Sequence, residues 1–167
     1  GMLLAHLGVA AFIVGATMVS NYGTETDVRM SPGDVVESAG YRFQFNGVQT
    51  VPGPNYSAQR GEFIVYRGDE RVTVLHPEKR SYFAASRPMT EAAIDAGFLR
   101  DIYVSLGEPV GDQGDWALRV YYKPYVRWIW LGGVLMALGG ILAITDRRYR
   151  TARSAATVPA GTATARS

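Results

Sequence analysis

The chain contains two histidines and no cysteine, so His6 and His76 are its residues with the widest chemical range. His6 lies in the run MLLAHLGVAAF, which is otherwise wholly apolar. An ionisable ring in an apolar membrane helix costs free energy unless it has a partner, which makes His6 a candidate site residue. Neutral imidazole is a common axial ligand of haem iron. The simpler alternative is a hydrogen bond to a neighbouring helix.

On a helix, Met2, Val9, Ala10 and Ile13 share the face that carries His6. Ala10 follows His6 by one turn, and its side chain is small. The pattern therefore leaves room for something large beside the imidazole ring.

His76 in LHPEKR follows a β-rich run and precedes a proline, which predicts an exposed histidine at a strand end. A serine hydrolase would need Ser, His and Asp to converge, and no motif in the sequence identifies a nucleophile. Two histidines, one of them in an apolar helix, do not supply the usual ligands of zinc. Without cysteine, disulfides and thiol chemistry within this chain are excluded.

Other charged and polar clusters are typical of surfaces. Asp69-Glu70 and Glu78-Lys79-Arg80 are predicted to form charged turns and a solvated face, since a single sequence does not show the cleft that acid–base carboxylates need. The segment GPNYSAQRGEF predicts a polar loop able to contact a partner. Its candidate contact residues are Asn55, Tyr56, Gln59 and Arg60.

Two apolar runs define the elements that must position these residues. Met2 to Val19 and Trp128 to Ile144 contain no charged residue, and each approaches the about 20 residues that a helix needs to cross a bilayer. We therefore expect transmembrane helices at 2–20 and 128–145 around a separate domain at 21–127. A signal peptide is disfavoured, because no basic segment precedes the first run and no A-x-A-like site closes it.

The distribution of charge predicts the orientation. Segment 21–127 carries 12 Lys+Arg and 14 Asp+Glu, whereas segment 146–167 carries five Arg and one Asp. The basic cluster DRRYRTAR after the second apolar run is typical of a cytoplasmic flank, which places 21–127 on the outer side. The tail is rich in Ala, Thr and Ser and is predicted to be disordered. Nucleic acid is not an expected partner, because the central domain has no basic surplus.

The central domain is predicted to be mostly β. YRFQFNGVQTV alternates Tyr41, Phe43 and Phe45 with polar residues, which is the period of a half-buried strand. Gly53-Pro54-Asn55 breaks the chain after that strand, and GEFIVYRGDERVTVLHP indicates a hairpin with its turn at Gly68-Asp69.

The segment PMTEAAIDAGFL, residues 88–99, is predicted to be a short helix capped by Thr90. The β-rich strings DIYVSL and WALRVYYKP follow it. We expect about six strands in total, forming a small sandwich or barrel.

The entrance to the second apolar helix is crowded with amphipathic rings, which favour the headgroup region of a bilayer. These rings are Tyr121, Tyr122, Tyr125, Trp128 and Trp130. Arg127 beside them can extend toward lipid phosphates. Small residues then predict a face for a neighbouring helix. They are Gly132, Gly133, Ala137, Gly139, Gly140 and Ala143.

Several long strings follow one another in a specific order: LLAHLGVA, GPNYSAQRGEF, LHPEKRSYF, PMTEAAIDAGFLRDIYVSLGEP and YYKPYVRWIWLGGVLMALGGILAITDRRYR. Over about residues 2 to 150 they resemble the C-terminal portion of the haem lyase CcmF/NrfE family of cytochrome c biogenesis proteins. The resemblance implies a multi-pass protein of the bacterial cytoplasmic (inner) membrane, with its β domain in the periplasm and its C-terminus in the cytoplasm.

The resemblance also implies a function in joining haem to apocytochrome c, with a CcmE-like haem chaperone and a CcmH-like thiol redox subunit as partners. The family holds a haem b in the membrane between two histidines, and the position of one of them matches His6. His6 is therefore the expected axial ligand of the haem b iron. Ligation by two histidines fills both axial positions and suits an electron carrier.

Parts of the family pattern are missing from this sequence. The tryptophan-rich WWD loop, the haem-bracketing external histidines and the second haem b ligand are not in these 167 residues, and His76 does not lie in a haem-bracketing motif. The motif C-x-x-C-H is also absent, so the chain is not itself a cytochrome c. We expect a fragment with the last two helices and the external β domain, not catalytic alone.

Two other classes of function would account for parts of the pattern. In a membrane-anchored binding module, the helices would tether a β domain that docks a partner through residues 53–61, and His6 could be replaced freely. An external hydrolase would show turnover that depends on His76. The haem-handling assembly factor is the preferred interpretation, because it accounts for both the long strings and the intramembrane histidine.

Overall fold

The computed structural model describes residues 1–85, 87–111 and 114–145. Its elements in chain order are α1 (Met2–Tyr22), β1 (Thr24–Met30), β2 (Val35–Ser38), β3 (Tyr41–Pro52), β4 (Tyr56–Arg67), β5 (Glu70–Leu75), β6 (Glu78–Tyr82), β7 (Met89–Glu91), β8 (Ala93–Ala96), β9 (Arg100–Val110), β10 (Asp115–Pro124) and α2 (Val126–Thr145). The described residues divide into two compact units, one of Gly1–Val14 with residues 128–145, and one of Gly15–Arg127. The predicted basic tail at 146–167 lies outside the described residues.

Both apolar runs form single helices. α1 extends two residues beyond the predicted 2–20, and α2 begins at Val126 rather than at residue 128. Each helix is long and apolar enough to cross a membrane. At a rise of about 1.5 Å per residue, α2 measures about 30 Å, which matches the hydrocarbon core of a bilayer. Only Tyr125 separates β10 from α2, so the strand passes into the helix almost without a linker.

The described part of the unit between the helices contains ten strands in two antiparallel sheets. One sheet has the order β1-β10-β9-β8, and the other has the order β2-β3-β4-β6-β7 with β5 paired to β4. The long strand β4 pairs with β3 along one edge and with two strands along the other, where its first half pairs with β6 and its second half with β5. The fold is a small β-sandwich, as predicted, but the expected number of about six strands was too low.

The core lies between the sheets and follows the alternation of the strands. Tyr41, Phe43 and Phe45 point inward from β3 as predicted, and Phe45 stacks on Phe63 of β4 with ring centroids 4.9 Å apart. The facing sheet supplies apolar side chains from β9 and β10: Ile102, Val104, Leu106, Leu118 and Val120. Burying each such side chain stabilises the fold by about 1.5–3 kcal/mol, which is why this pattern determines the sandwich.

Two predicted turns are confirmed. β4 and β5 form a hairpin in which Arg67 pairs with Glu70, so Gly68-Asp69 is its turn. Gly68 has a φ of 60°, a conformation that glycine adopts without steric cost. Residues 53–55 interrupt the chain between β3 and β4, where the N–H of Gly53 donates to the carbonyl of Tyr56 at 2.8 Å.

The predicted helix at 88–99 is wrong. The segment forms β7 and β8 instead, and β8 pairs with β9 from Ala93↔Val104 to Ala96↔Asp101. Alanine and isoleucine tolerate either state, and an isolated helix of this length is marginal in water. Pairing with β9, which is anchored in the core, therefore decides the conformation.

The predicted polar loop at 53–61 is also wrong beyond residue 55. Tyr56, Gln59 and Arg60 lie on β4, with β3 on one side and β6 on the other. Alternating polar residues on a long hairpin resemble loop composition in sequence. Only Asn55 of the four candidate contact residues lies in the turn.

Candidate functional site

His6 lies on α1 with its side chain exposed. Its Nδ1 is 2.8 Å from the carbonyl oxygen of Met2, one turn earlier in the helix. A carbonyl oxygen only accepts, so Nδ1 carries the proton and donates this bond. The proton on Nδ1 leaves the lone pair of a neutral ring on Nε2. A histidine held in this way presents Nε2 as a ready ligand for a metal.

Close packing of α1 on α2 determines which face of α1 is left for His6. A Cβ added at Gly8 would lie 2.7 Å from the carbonyl oxygen of Gly132, and one added at Gly139 would lie 2.5 Å from the nitrogen of Ala5. The two backbones are therefore in direct contact, and the predicted helical neighbour of α2 is α1. Gly133 and Gly140 have nothing within 4 Å, so only part of the predicted small-residue face is used within the described chain.

At 100° per residue, His6 is more than a quarter-turn away from the contact positions Ala5 and Gly8. It therefore points away from α2, on a face that it shares with Ala10 and Ile13. Both of these side chains are exposed, as is that of Met2. A group that meets Nε2 would approach from outside the α1–α2 pair.

Replacing Gly132 by leucine is expected to force α1 and α2 apart, because a Cβ there would lie 2.6 Å from backbone atoms of Gly8 and Phe12. Overpacking of this kind costs about 1–3 kcal/mol. Denaturant titration of the chain in detergent, followed by helical circular dichroism, measures the loss. Gly133→Leu is the matched control, since nothing lies within 4 Å of that position. Equal stability of the Gly132→Leu and Gly133→Leu variants would contradict the close packing of α1 on α2.

Among the described residues, no three His, Cys, Asp or Glu side chains come together to hold a metal ion. His6 could therefore supply one ligand to a metal centre, and the others would have to come from a cofactor or another segment. An axial ligand of a porphyrin meets this condition, because the macrocycle supplies four nitrogens. The donor chemistry of His6 and the small Ala10 beside it fit such a group.

His76 follows the last residue of β5 and is about half exposed, so the predicted position at a strand end is confirmed. Its Nε2 lies 3.8 Å from a carboxylate oxygen of Glu62 on β4. This separation is too long for a hydrogen bond, and the pair is a loose surface contact. In the described part of the chain, no serine or threonine hydroxyl is hydrogen-bonded to His76.

Glu78 was predicted to lie on a solvated face, and this is wrong. Its side chain is only 8% exposed, and it accepts hydrogen bonds from Arg60 Nε at 2.6 Å and Arg80 Nε at 2.7 Å. Burial would raise the pKa of Glu78, but the bonds from Arg80 and Arg60 outweigh it and hold the pKa below its usual range. This ion network joins β4 to β6.

Glu78→Gln is expected to destabilise the β-sandwich at neutral pH, because two guanidinium groups lose their anionic partner. A lowered carboxyl pKa means that the charged form stabilises the fold above the ordinary pKa. That contribution is lost as the pH falls through the lowered pKa, so the difference between variant and wild type should shrink in acid. Urea unfolding across pH measures it, with the exposed Glu70→Gln as control. A difference that persists unchanged in acid would contradict this account.

Asp115 forms a second network that no sequence motif indicates. It accepts bonds from Arg29 Nε at 2.8 Å and from the Ser31 hydroxyl at 2.6 Å. The Ser31 bond, followed by Arg29, holds the pKa of Asp115 below its usual range. These residues are more than 80 positions apart in the chain, and pairing of β1 with β10 brings them together.

A groove of about 660 Å³ is lined by residues of β1, β9 and β10 with Thr90 of β7. Its two arginines are already paired, Arg29 with Asp115 and Arg119 with Asp27. The charge available to an anionic ligand in this groove is therefore small.

The fold and the position of His6 define a membrane-anchored β-sandwich that carries one histidine on an apolar helix. The family described as CcmF C-terminal beta-sandwich matches residues 21–124, and the chain belongs to this family. The match covers the β-sandwich, so it identifies the domain between the two helices.

Relatives extend the likeness into both helices. The cytochrome c-type biogenesis protein CcmF of Pseudomonas aeruginosa is 55% identical over 150 residues, and that of Escherichia coli is 52% identical over the same length. The cytochrome c-type biogenesis protein NrfE of Haemophilus influenzae is 35% identical over 150 residues. These alignments cover 90% of this chain but only 23% to 24% of the relatives.

A solved structure titled Cytochrome c Heme Lyase CcmF has the same fold. Its TM-score is 0.69 at 21% identity, and the alignment covers 87% of this chain and 24% of that one. The chain thus corresponds to about a quarter of the proteins that it matches.

Proposed function

We propose that this chain acts in cytochrome c maturation as part of a haem-handling membrane protein, and that His6 is an axial ligand of haem b. The relatives support the role in cytochrome c maturation, since they are named as cytochrome c-type biogenesis proteins and a heme lyase. The bond from His6 Nδ1 to the Met2 carbonyl carries the ligand assignment, because it directs the Nε2 lone pair outward.

The local chemistry of α1 suits an axial ligand. The carbonyl of Met2 fixes both the tautomer and the ring orientation, which is the usual role of a group behind a metal-bound histidine. Ala10, one turn later, adds little bulk on the same face. His6 is 16 residues before Tyr22, about 24 Å along the helix axis. With Tyr22 at the outer boundary of the bilayer core, His6 would lie inside a core of about 30 Å.

When bound, haem b with two histidine ligands supplies one-electron redox chemistry without an open site on the iron. His6 would supply one ligand to the iron through Nε2, while its Nδ1 keeps its proton and donates it in the hydrogen bond to the Met2 carbonyl oxygen. The second axial histidine would come from a part of the protein outside these 167 residues. In this proposal His6 neither donates nor accepts a proton during the reaction.

The proposed location and partners of the protein follow from the charge and the chemistry of the chain. The protein lies in the cytoplasmic (inner) membrane with the β-sandwich in the periplasm, because the arginines after α2 favour the cytoplasm. Its proposed partners are a CcmE-like haem chaperone, a CcmH-like thiol redox subunit, apocytochrome c and the lipid bilayer. Apocytochrome c supplies the thiols of the thioether bonds, since this chain has no cysteine.

Complementation tests the proposed function. In a chimaera, this chain replaces the corresponding segment of the Pseudomonas aeruginosa relative, in a strain that lacks its own copy. The expected result is restored cytochrome c, and His6→Ala should abolish it. Ile13→Ala on the same exposed face is the control. Full cytochrome c maturation by the His6→Ala chimaera would contradict the ligand role. It would favour the membrane-anchored binding module as the function of this chain.

A further inference from the structure

The strand register places one β-turn at the point where the chain leaves the β-sandwich for α2. The last residue of β10, Pro124, pairs with the first residue of β9, Arg100. The next main-chain N–H, that of Tyr125, donates to the carbonyl of Leu99 at 2.8 Å. The β8–β9 turn, residues 97–99, is therefore bonded to the residue immediately before α2.

This turn exposes large apolar side chains. Phe98 is 62% exposed and Leu99 is 54% exposed. Tyr22, the last residue of α1, is also largely exposed. Water is a poor environment for such side chains, and their cluster at one end of a domain indicates a contact surface.

The charged residues around the turn are engaged with one another rather than directed outward. Asp101 accepts a bond from the Gly97 N–H at 3.0 Å and lies 3.4 Å from Arg127 Nε. Arg100 pairs with Asp95 across the turn. These contacts tie the turn to the ends of its flanking strands, and its tip presents apolar side chains.

We propose that the β8–β9 turn inserts Phe98 and Leu99 into the interfacial region of the lipid bilayer, as an attachment of the β-sandwich in addition to the two helices. α2 is about 30 Å long, so Val126 reaches the boundary of the hydrocarbon core when the helix spans it. The Leu99 carbonyl is bonded to the residue just before Val126, which puts the turn at the headgroup level. Aromatic and aliphatic side chains gain free energy by burial at this depth.

The proposal depends on α2 crossing a membrane, and it does not depend on haem ligation by His6. Its consequence is mechanical. The inserted turn would give the β-sandwich a contact with the membrane in addition to its two covalent connections to the helices.

A matched position lies at the other end of the sandwich. Phe83 is 77% exposed, and its N–H donates to the carbonyl of Asn55 in the β3–β4 turn at 3.1 Å. Arg100 Nε donates to the Tyr41 hydroxyl at 3.2 Å, so β3 begins at the end of the sandwich that holds the β8–β9 turn. From there β3 runs 12 residues to the β3–β4 turn, about 40 Å at the usual rise of a strand. Phe83 is therefore as exposed as Phe98 but far from the junction with α2.

Site-directed spin labelling tests the proposal on the whole chain in lipid nanodiscs. Because the sequence has no cysteine, Phe98→Cys, Leu99→Cys and Phe83→Cys each give a single labelled site. Collision rates with oxygen, which partitions into lipid, and with a water-soluble nickel chelate report the depth of each label. The carbonyl of Leu99 makes the bond to Tyr125, so the side-chain replacements retain it.

The expected result is a several-fold higher ratio of oxygen to nickel collisions at positions 98 and 99 than at position 83. Equal ratios at all three positions would overturn the proposal. A label at 98 or 99 that is shielded from both reagents would also overturn it, because that outcome indicates burial against protein. Matching circular dichroism spectra confirm that each labelled chain is folded.

Discussion

Replacing His6 by alanine is expected to lower the haem b content of the purified chimaera at least about tenfold, since even loss of a supporting group costs a metal site that much. Alanine has no donor atom, and no other histidine lies on α1 or α2. The lost ligand therefore has no substitute on these helices. The helix itself should be unaffected, because alanine is the best helix former.

Pyridine haemochrome absorbance at matched protein amounts measures this effect. Ile13→Ala is the control, because it removes an exposed side chain from the same face without removing a donor. Far-UV circular dichroism and membrane yield of each variant separate haem loss from misfolding. A His6→Ala protein that retains its haem would show that His6 only packs within the membrane and does not bind the haem iron.

Replacing Phe63 by alanine is expected to destabilise the β-sandwich by about 3–5 kcal/mol. Phe63 is fully buried, stacks on Phe45 and occupies the middle of β4, the strand that joins three others. Small domains have only about 5–15 kcal/mol of stability in total, so this is a large fraction. A cavity at this position would weaken contacts to both sheets.

Urea unfolding in detergent, followed by β-sheet circular dichroism, measures that loss. Phe83→Ala is the matched control, because its ring is 77% exposed and surface substitutions usually change stability by less than about 0.5 kcal/mol. Similar midpoints for Phe63→Ala and Phe83→Ala would show that the centre of the core is not where the described packing puts it.

The sequence predicted the parts of the fold in which one local pattern dominates. Tyr41, Phe43 and Phe45 alternate with polar residues, and burial of one strand face follows directly from that period. The apolar runs likewise predicted the helices α1 and α2 directly from the sequence. Residues 88–99 have no such pattern, and pairing of β8 with β9 overrides their weak helix propensity.

Long-range polar contacts could not be predicted in the same way. In the sequence, Glu78 is one charged residue in a charged run. Its burial depends on Arg60, which the pairing of β4 with β6 brings beside it. Asp115 and Ser31 meet only because β1 pairs with β10. Such networks require the topology of the sheets, which a single sequence with unspecific turns does not determine.

The candidate site was indicated by one residue that is costly in its context. His6 stands out because an apolar helix has no general use for an imidazole ring. Its orientation was not predictable, because the outward face is left over after Gly8 packs on Gly132. The bond from Nδ1 to the Met2 carbonyl likewise became visible only in the structure.

The visible spectrum of a dithionite-reduced His6→Gly chimaera, taken with and without added imidazole, tests whether His6 is a ligand of the haem iron. If His6 Nε2 binds the iron, the sharp bands of six-coordinate haem b should be lost in the variant and should return when free imidazole enters the vacated position. Sharp bands in His6→Gly without imidazole, equal to those of the unsubstituted chimaera, would show that His6 is not the ligand.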